Sequence, residues 1–193
     1  MTTPPHTLIG GVGHPELQDI SVGPVLSLKF AEEEWPQGTL VEDLSYGPVA
    51  VMHRFNDFDP PLRRVILFGA VRRERQAGAL AAYRWDRALP EDEEIQDRVA
   101  EAVTGVIGLD NLLIVTTALG AMPAEVLVVE VEPAVEAMGT GFSPQVAPAV
   151  AELERRVRAL ALLAPGQAIL PPAPIGGFTT SNGAPHAAVG AGK

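Results

Sequence analysis

The chain contains no cysteine. Disulfide frameworks, thiolate nucleophiles and Cys-based metal sites are therefore excluded, although this absence does not fix a compartment. Positive charge is also scarce, with 14 Lys+Arg against 24 Asp+Glu and a formal net charge of −10. Nucleic acid and anionic membrane surfaces both reward clustered positive charge, so neither is an expected partner, and the acidic balance speaks first for solubility. No stretch approaches the ~18 apolar residues of a spanning helix. The opening MTTPPHT lacks a basic region followed by an apolar run, so no targeting segment is expected and the protein is read as cytoplasmic. At 193 residues the chain is long enough for one domain with a real core and short for two.

The richest stretch is residues 8–23, LIGGVGHPELQDISVG. Leu8 and Ile9 open a short strand, Gly11 and Gly13 allow a tight turn with close backbone approach, and Ser21 is placed to cap a helix with Gly23 and Pro24 in its first turn. A dinucleotide-binding fingerprint would need a third glycine where Glu16 stands. A carboxylate there repels phosphate and Pro15 removes a backbone N–H, so this reading is set aside.

Further along, residues 39–44 read as a second strand, 48–55 as a short helix, and 64–71 (RVILFGAV) as a central parallel strand buried on both faces. Residues 80–85 make a fourth strand. The acidic run Glu91, Asp92, Glu93, Glu94 precedes a helix with Ile95, Val99, Ala102 and Val103 at helical spacing, its acids facing solvent at the N-terminus. Asp110 opens another helix that Gly120 ends, and 126–131 is a fifth, β-rich strand. From Ser143, the positions Val146, Val150, Leu153, Val157 and Leu160 describe an amphipathic helix; Pro144 suits its first turn, while Pro148 demands either a kink or a later start. The alternation predicts an α/β fold, a three-layer αβα single domain spanning residues 1–163 around a mainly parallel, about five-stranded twisted sheet. Residues 164–193, rich in Ala, Pro and Gly, are expected to form a disordered or loosely attached extension.

Gly11, Val12, Gly13, His14 and Pro15, followed by Leu17, Asp19, Val22 and Gly23, resemble the opening of the hydrogenase maturation proteases, which runs roughly G-x-G-N-x-L-x-x-D-[DE]-x-x-G; His14 stands where Asn is usual. Gly120, Ala121, Met122, Pro123 with the strand that follows to Pro133, and Gly141, Phe142, Ser143, Pro144, extend the resemblance over about residues 7–163 in matching order and spacing. It implies a single αβα domain and an activity: nickel-recognising endopeptidases that remove a C-terminal extension from the large subunit of a nickel–iron hydrogenase. It also implies three metal ligands, an acid in the first loop, an aspartate ending the third strand and a histidine before a later helix. Here those positions fall on Ile20, Gly69 and, on or beside it, Gly105, none of which offers a side-chain donor.

The expectation is therefore a hydrogenase maturation protease-like protein without proteolysis and without a cofactor, binding a hydrogenase large subunit, its precursor tail or another maturation factor. An alternative keeps the endopeptidase, with nickel held by shifted ligands drawn from His14, Glu16, Asp19 and Asp43. The bland readings of those residues are a bracing role for Asp19, turn N–H bonds for Asp43, occupation of the Asn position by His14 and a solvated Glu16. A third alternative is a structural subunit with the C-terminal extension as tether. Arg72 and Arg73, after the strand that lacks its aspartate, either lie in solvent or place a guanidinium where the cation would be, paired with Asp19 or Asp43. His6, His53 and His186 have no partner at ligand spacing. Ser45 and Ser143 show no nucleophile elbow, Ser143 being better explained as a helix cap.

Overall fold

The computed structural model describes residues 6–103 and 107–177. In chain order the elements are β1 (Thr7–Val12), α1 (Val22–Ala31), β2 (Thr39–Asp43), α2 (Pro48–Asn56), β3 (Arg64–Ala70), β4 (Leu80–Trp85), α3 (Asp92–Val103), α4 (Leu109–Ala118), β5 (Glu125–Val131), α5 (Ala147–Leu162) and β6 (Pro172–Ala173). The strands form one sheet in the order β2-β1-β3-β5-β4-β6. β1, β2, β3 and β5 are parallel, and β4 runs antiparallel to β5 with β6 parallel to β4 at the edge. This is the expected α/β sandwich, with a sixth, two-residue strand added. Among the described residues no helix is long and apolar enough to cross a membrane.

Every residue of β3 is buried, as a strand covered on both faces requires. Its alternate side chains go to different layers: Val65 and Leu67 meet α2 and α4 through Val51, Phe55, Leu112 and Leu113, while Ile66 and Phe68 meet α1 and α5 through Leu26, Phe30, Leu153 and Val157. α3 lies outside this sandwich against α4, and its first turn carries Asp92, Glu93 and Glu94, where the helix dipole favours negative charge. β1 leads through α1 to β2 on one side, and the chain then crosses to β3 on the other. The switch point therefore lies between β1 and β3, and the crevice at their carboxyl ends is where such sheets place their sites.

α1 approaches β1 backbone to backbone. A Cβ on Gly23 would strike the main chain of Val12, and one on Gly11 the carbonyl of Gly23. Ser21 occupies the position before α1 but does not cap it. The chain enters through a 3₁₀ turn, Gln18–Ser21, and the Ser21 hydroxyl donates back to the Gln18 carbonyl (2.6 Å). α5 begins at Ala147, so Pro148 sits in its first turn, where a missing N–H costs nothing. Arg64, fully buried, reaches the far end of α5 and donates to the carbonyls of Leu160 (3.1 Å) and Ala161 (3.5 Å) and to the Thr7 hydroxyl (3.2 Å).

The segment after Leu163 departs from the expected loose extension over its described part. The N–H groups of Arg84 in β4 and of Asp86 just after it donate to the carbonyls of Pro171 (3.1 Å) and Ala173 (2.9 Å), and Ala168 and Ala173 are buried. Its apolar side chains are few, but Leu170 and Ile175 pack against the core and the edge of β4 supplies backbone partners that composition does not reveal. Residues 178–193 lie outside the described residues.

Candidate functional site

The crevice floor is set by strand register. Val12 at the end of β1 pairs with Gly69 of β3, which pairs with Glu130 of β5. Gly69 occupies the position at which the resemblance places a metal-binding aspartate. A Cβ there would fall well inside contact distance of the Val12 carbonyl oxygen, so the close approach of β1 leaves no room for any side chain.

The first loop leaves β1 at Gly13, whose N–H donates to the Ser45 hydroxyl (3.1 Å). His14, Pro15 and Glu16 are exposed, and the loop is stitched to the segment after β5 through Gly139, which donates to the Glu16 carbonyl (2.9 Å) and accepts from the Gln18 N–H (3.2 Å). Asp19 is fully buried. Its Oδ2 accepts from the N–H groups of Ala134 (2.9 Å) and Val135 (2.8 Å) and from the Ser143 hydroxyl (2.8 Å), and its Oδ1 accepts from the Ser143 N–H (2.7 Å). Burial pushes this carboxyl up, but the hydrogen bonds from Ser143, Val135 and Ala134 outweigh it and hold the group below its ordinary value. Ser143 thus has a different task from the expected helix cap: its hydroxyl binds Asp19 while accepting from the Val146 N–H (3.3 Å) in the turn ahead of α5.

Ile20 is half-buried and packs on the core between the sheet and α1/α5. Asp43 is exposed and accepts from the Ser45 N–H (3.0 Å), closing a local turn. Gly105 lies outside the described residues. Among the described residues no group of three His, Asp or Glu side chains is placed to hold a metal ion, so the shifted set of His14, Glu16, Asp19 and Asp43 is not assembled. A divalent transition metal needs O, N or S donors. Positions 20 and 69 supply none, and the oxygens of Asp19 are turned to backbone donors, so these residues do not fit nickel.

The two arginines pair, but with neither Asp19 nor Asp43. Arg72 is exposed and forms an ion pair with Glu136 (2.7 Å). Arg73 turns inward, its Nη1 and Nη2 meeting Asp110 in a forked contact (2.7 and 2.5 Å) at the start of α4, while its Nε and Nη2 reach Glu130 (3.2 Å each). Burial lowers the basicity of Arg73, but the carboxylates of Asp110 and Glu130 more than reverse this and hold it protonated. Glu130, fully buried, also accepts from Arg75 (2.7 Å) and from the Tyr83 hydroxyl (3.3 Å). Glu132 accepts from the Arg73 N–H (2.7 Å). The guanidinium of Arg73 therefore bonds the ends of β3 and β5 to the first turn of α4, on the same row as Gly69.

Glu130, Glu132, Asp110, Arg75 and Tyr83 are the site residues that sequence reasoning missed. One signal was available: Glu130 and Glu132 interrupt an apolar strand that must be buried, and buried carboxylates need cationic partners. The run Arg72, Arg73, Glu74, Arg75 was the richest nearby source.

No family model matches the chain, and no curated protein sequence matches it. Its fold is that of several solved hydrogenase maturation proteases. The hydrogenase 2 maturation peptidase from a Thaumarchaeota archaeon aligns with a TM-score of 0.56 at 22% identity, covering 82% of this chain and 99% of that one. The hydrogenase maturating endopeptidase from E. coli aligns with a TM-score of 0.59 at 18% identity over 80% of this chain and 91% of that one. A NiFe hydrogenase maturation protease from Thermococcus kodakarensis gives 0.55 at 17% identity over 81% and 99%.

Proposed function

We propose that the chain is a member of the hydrogenase maturation protease family that acts by binding and not by cleavage. Its partner in this reading is a hydrogenase large subunit, the precursor tail of that subunit, or another maturation factor. The observation that carries the proposal is the wiring of the crevice. The first loop keeps its Gly11, Gly13 and Asp19 framework, while the neighbourhood of the metal positions is held together by a half-buried arginine, Arg73, between two carboxylates, Asp110 and Glu130. A guanidinium can tie the crevice together as a cation does, but it has no open coordination position at which to activate water or polarise a peptide carbonyl.

The serines near the crevice are committed elsewhere. The Ser45 hydroxyl accepts from Gly13, and the Ser143 hydroxyl donates to Asp19, so neither is paired with a histidine base as a nucleophile requires. What remains is an exposed loop, His14 to Glu16, beside a rigid crevice, a surface suited to recognition.

The test is affinity capture from host lysate under conditions of hydrogenase expression, with the intact mass of any captured large subunit. A large subunit still carrying its C-terminal extension after incubation with added nickel supports the proposal. A shortened one overturns the non-proteolytic part, and absence of every hydrogenase component overturns the partner.

A further inference from the structure

The sheet has two ends, and they are finished differently. On one side β4 is covered by the two-residue β6, whose Pro172 has no N–H to offer a further strand. On the other side β2 pairs with β1 along its inner edge, and among the described residues no strand pairs with its outer edge. Natural sheets blunt such an edge with lysine, proline, a bulge or a covering segment. Thr39–Asp43 (TLVED) has no lysine or proline, and its register with β1 runs without a bulge. Its acids are engaged, Glu42 with Arg54 and Asp43 with the Ser45 N–H (3.0 Å).

The ladder dictates which backbone groups this edge offers. The Thr7 N–H donates to the Gly38 carbonyl (3.2 Å) and the Leu44 N–H to the Gly11 carbonyl (2.8 Å), with Thr7 opposite Thr39 and Gly11 opposite Asp43. Gly38, Leu40, Glu42 and Leu44 therefore turn their polar groups to β1, and Thr39, Val41 and Asp43 turn theirs outward. The Thr39 N–H is already given to the Pro36 carbonyl (3.0 Å). Val41 and Asp43 remain as donors, and the carbonyls of Thr39 and Val41 lie ready as acceptors.

This set is its own complement. About a two-fold axis at Val41, the Val41 groups of two antiparallel strands bond each other, and each Asp43 N–H meets the Thr39 carbonyl of the other copy. The same register sets Glu42 opposite Leu40 and Asp43 opposite Thr39, so no like charges face each other directly. Beside the edge, α1 packs on β2 and exposes Leu28 (71%) and Val25 (40%), one turn apart. We infer that two copies of this chain join through their β2 edges, continuing one sheet across the axis and bringing the exposed faces of α1 together. The net charge of −10 on each copy opposes their approach, so the association tightens as salt screens it.

The experiment uses the full chain. Sedimentation equilibrium over a concentration series gives a monomer–dimer equilibrium and nothing larger, because pairing consumes the edge. Amide exchange followed by nuclear magnetic resonance slows at least tenfold at Val41 and Asp43 on going from dilute monomer to dimer, while Leu40, Glu42 and Leu44 are equally protected in both. Val41→Pro removes an outward donor and spares every bond to β1, and it raises the dissociation constant at least tenfold. Leu28→Glu, at an exposed position, does the same and is read in its place should Val41→Pro fail to fold. A chain that stays monomeric at about 1 mM, a dimer equally tight in the folded variants, assembly beyond the dimer, or dimer amides at Val41 and Asp43 that stay unprotected overturns the inference. So does full protection of those amides in the dilute monomer, since another part of the same chain then covers the edge.

Discussion

Asp19→Asn tests whether the first loop is held by a charged acceptor. In the best orientation the asparagine oxygen takes the place of Oδ2 and keeps the bonds from Ala134, Val135 and the Ser143 hydroxyl, while its NH₂ group faces the Ser143 N–H. The flipped orientation sets the NH₂ against Ala134 and Val135 and is worse. One buried backbone N–H loses its acceptor, at about 1–3 kcal/mol, and the surviving bonds fall from charge-assisted to neutral strength. The expected loss is roughly 3 kcal/mol by these figures, or a fall in melting temperature of about 6–12 °C for a domain of this size. Urea denaturation followed by circular dichroism reads it directly.

Acidification supplies an independent check. The folded carboxyl of Asp19 lies below its ordinary value, so as pH falls the unfolded chain takes up this proton first. The contribution is complete above the unfolded pKa of about 3.9 and is lost as pH drops through the lower folded value. The gap between the unaltered chain and Asp19→Asn is therefore constant from pH 7 to about pH 5 and narrows below about pH 4. A loss under about 1 kcal/mol at pH 7, or a gap that widens on acidification, refutes the reasoning.

Three further outcomes follow from the same structure. Arg73→Ala leaves Glu130 buried with Arg75 and Tyr83 as remaining partners and costs about 3 kcal/mol, the low end for a broken buried pair, whereas Arg72→Ala, at an exposed pair with Glu136, changes stability by less than about 0.5 kcal/mol; paired urea titrations compare them. Gly69→Asp, which would put a carboxylate at the end of β3, forces β1 away from β3 because a Cβ there meets the Val12 carbonyl oxygen, and gives a less stable protein with no calorimetric nickel binding. Arg64→Ala uncaps α5 and leaves a cavity between β1, β3 and that helix, lowering stability by about 3–5 kcal/mol in thermal or chemical denaturation.

The elements legible in the sequence were those with strong local signals. β3 announced itself as an uninterrupted apolar run and α5 by its spacing of three and four, and the acids before α3 marked a helix start that the structure places at Asp92. Asp43 was readable as a turn acceptor because its donor lies two residues away. The site was less legible because its bonds are long-range. Arg73 meets Asp110 and Glu130 across separations of 37 and 57 residues, and nothing local says that α4 and β5 converge there. Sheet-end logic offered either solvent or pairing with Asp19 or Asp43 for these arginines, but Asp19 faces the segment that follows β5. The segment on the β4 edge escaped detection for a different reason: its backbone bonds to Arg84 and Asp86 leave no trace in composition, and its apolar contacts, through Ala168, Leu170, Ala173 and Ile175, are scattered among Pro and Gly.

The tether of Asp19 to Ser143 also dictates an order of events during synthesis. The two residues are 124 positions apart, so at translation rates of about 5–20 residues per second the first loop waits roughly 6–25 s for its anchor to be made. In that interval β1, α1 and β2 can emerge and associate, but the carboxylate that organises the crevice remains in water. Arg64 and α5 impose a similar delay at the opposite end of the sheet, across 96 residues. A ribosome-stalled chain ending before Ser143 should therefore expose its first loop to added protease, and extension past α5 should confer resistance in a single step. The crevice is a late product of biosynthesis, completed only when nearly the whole domain exists.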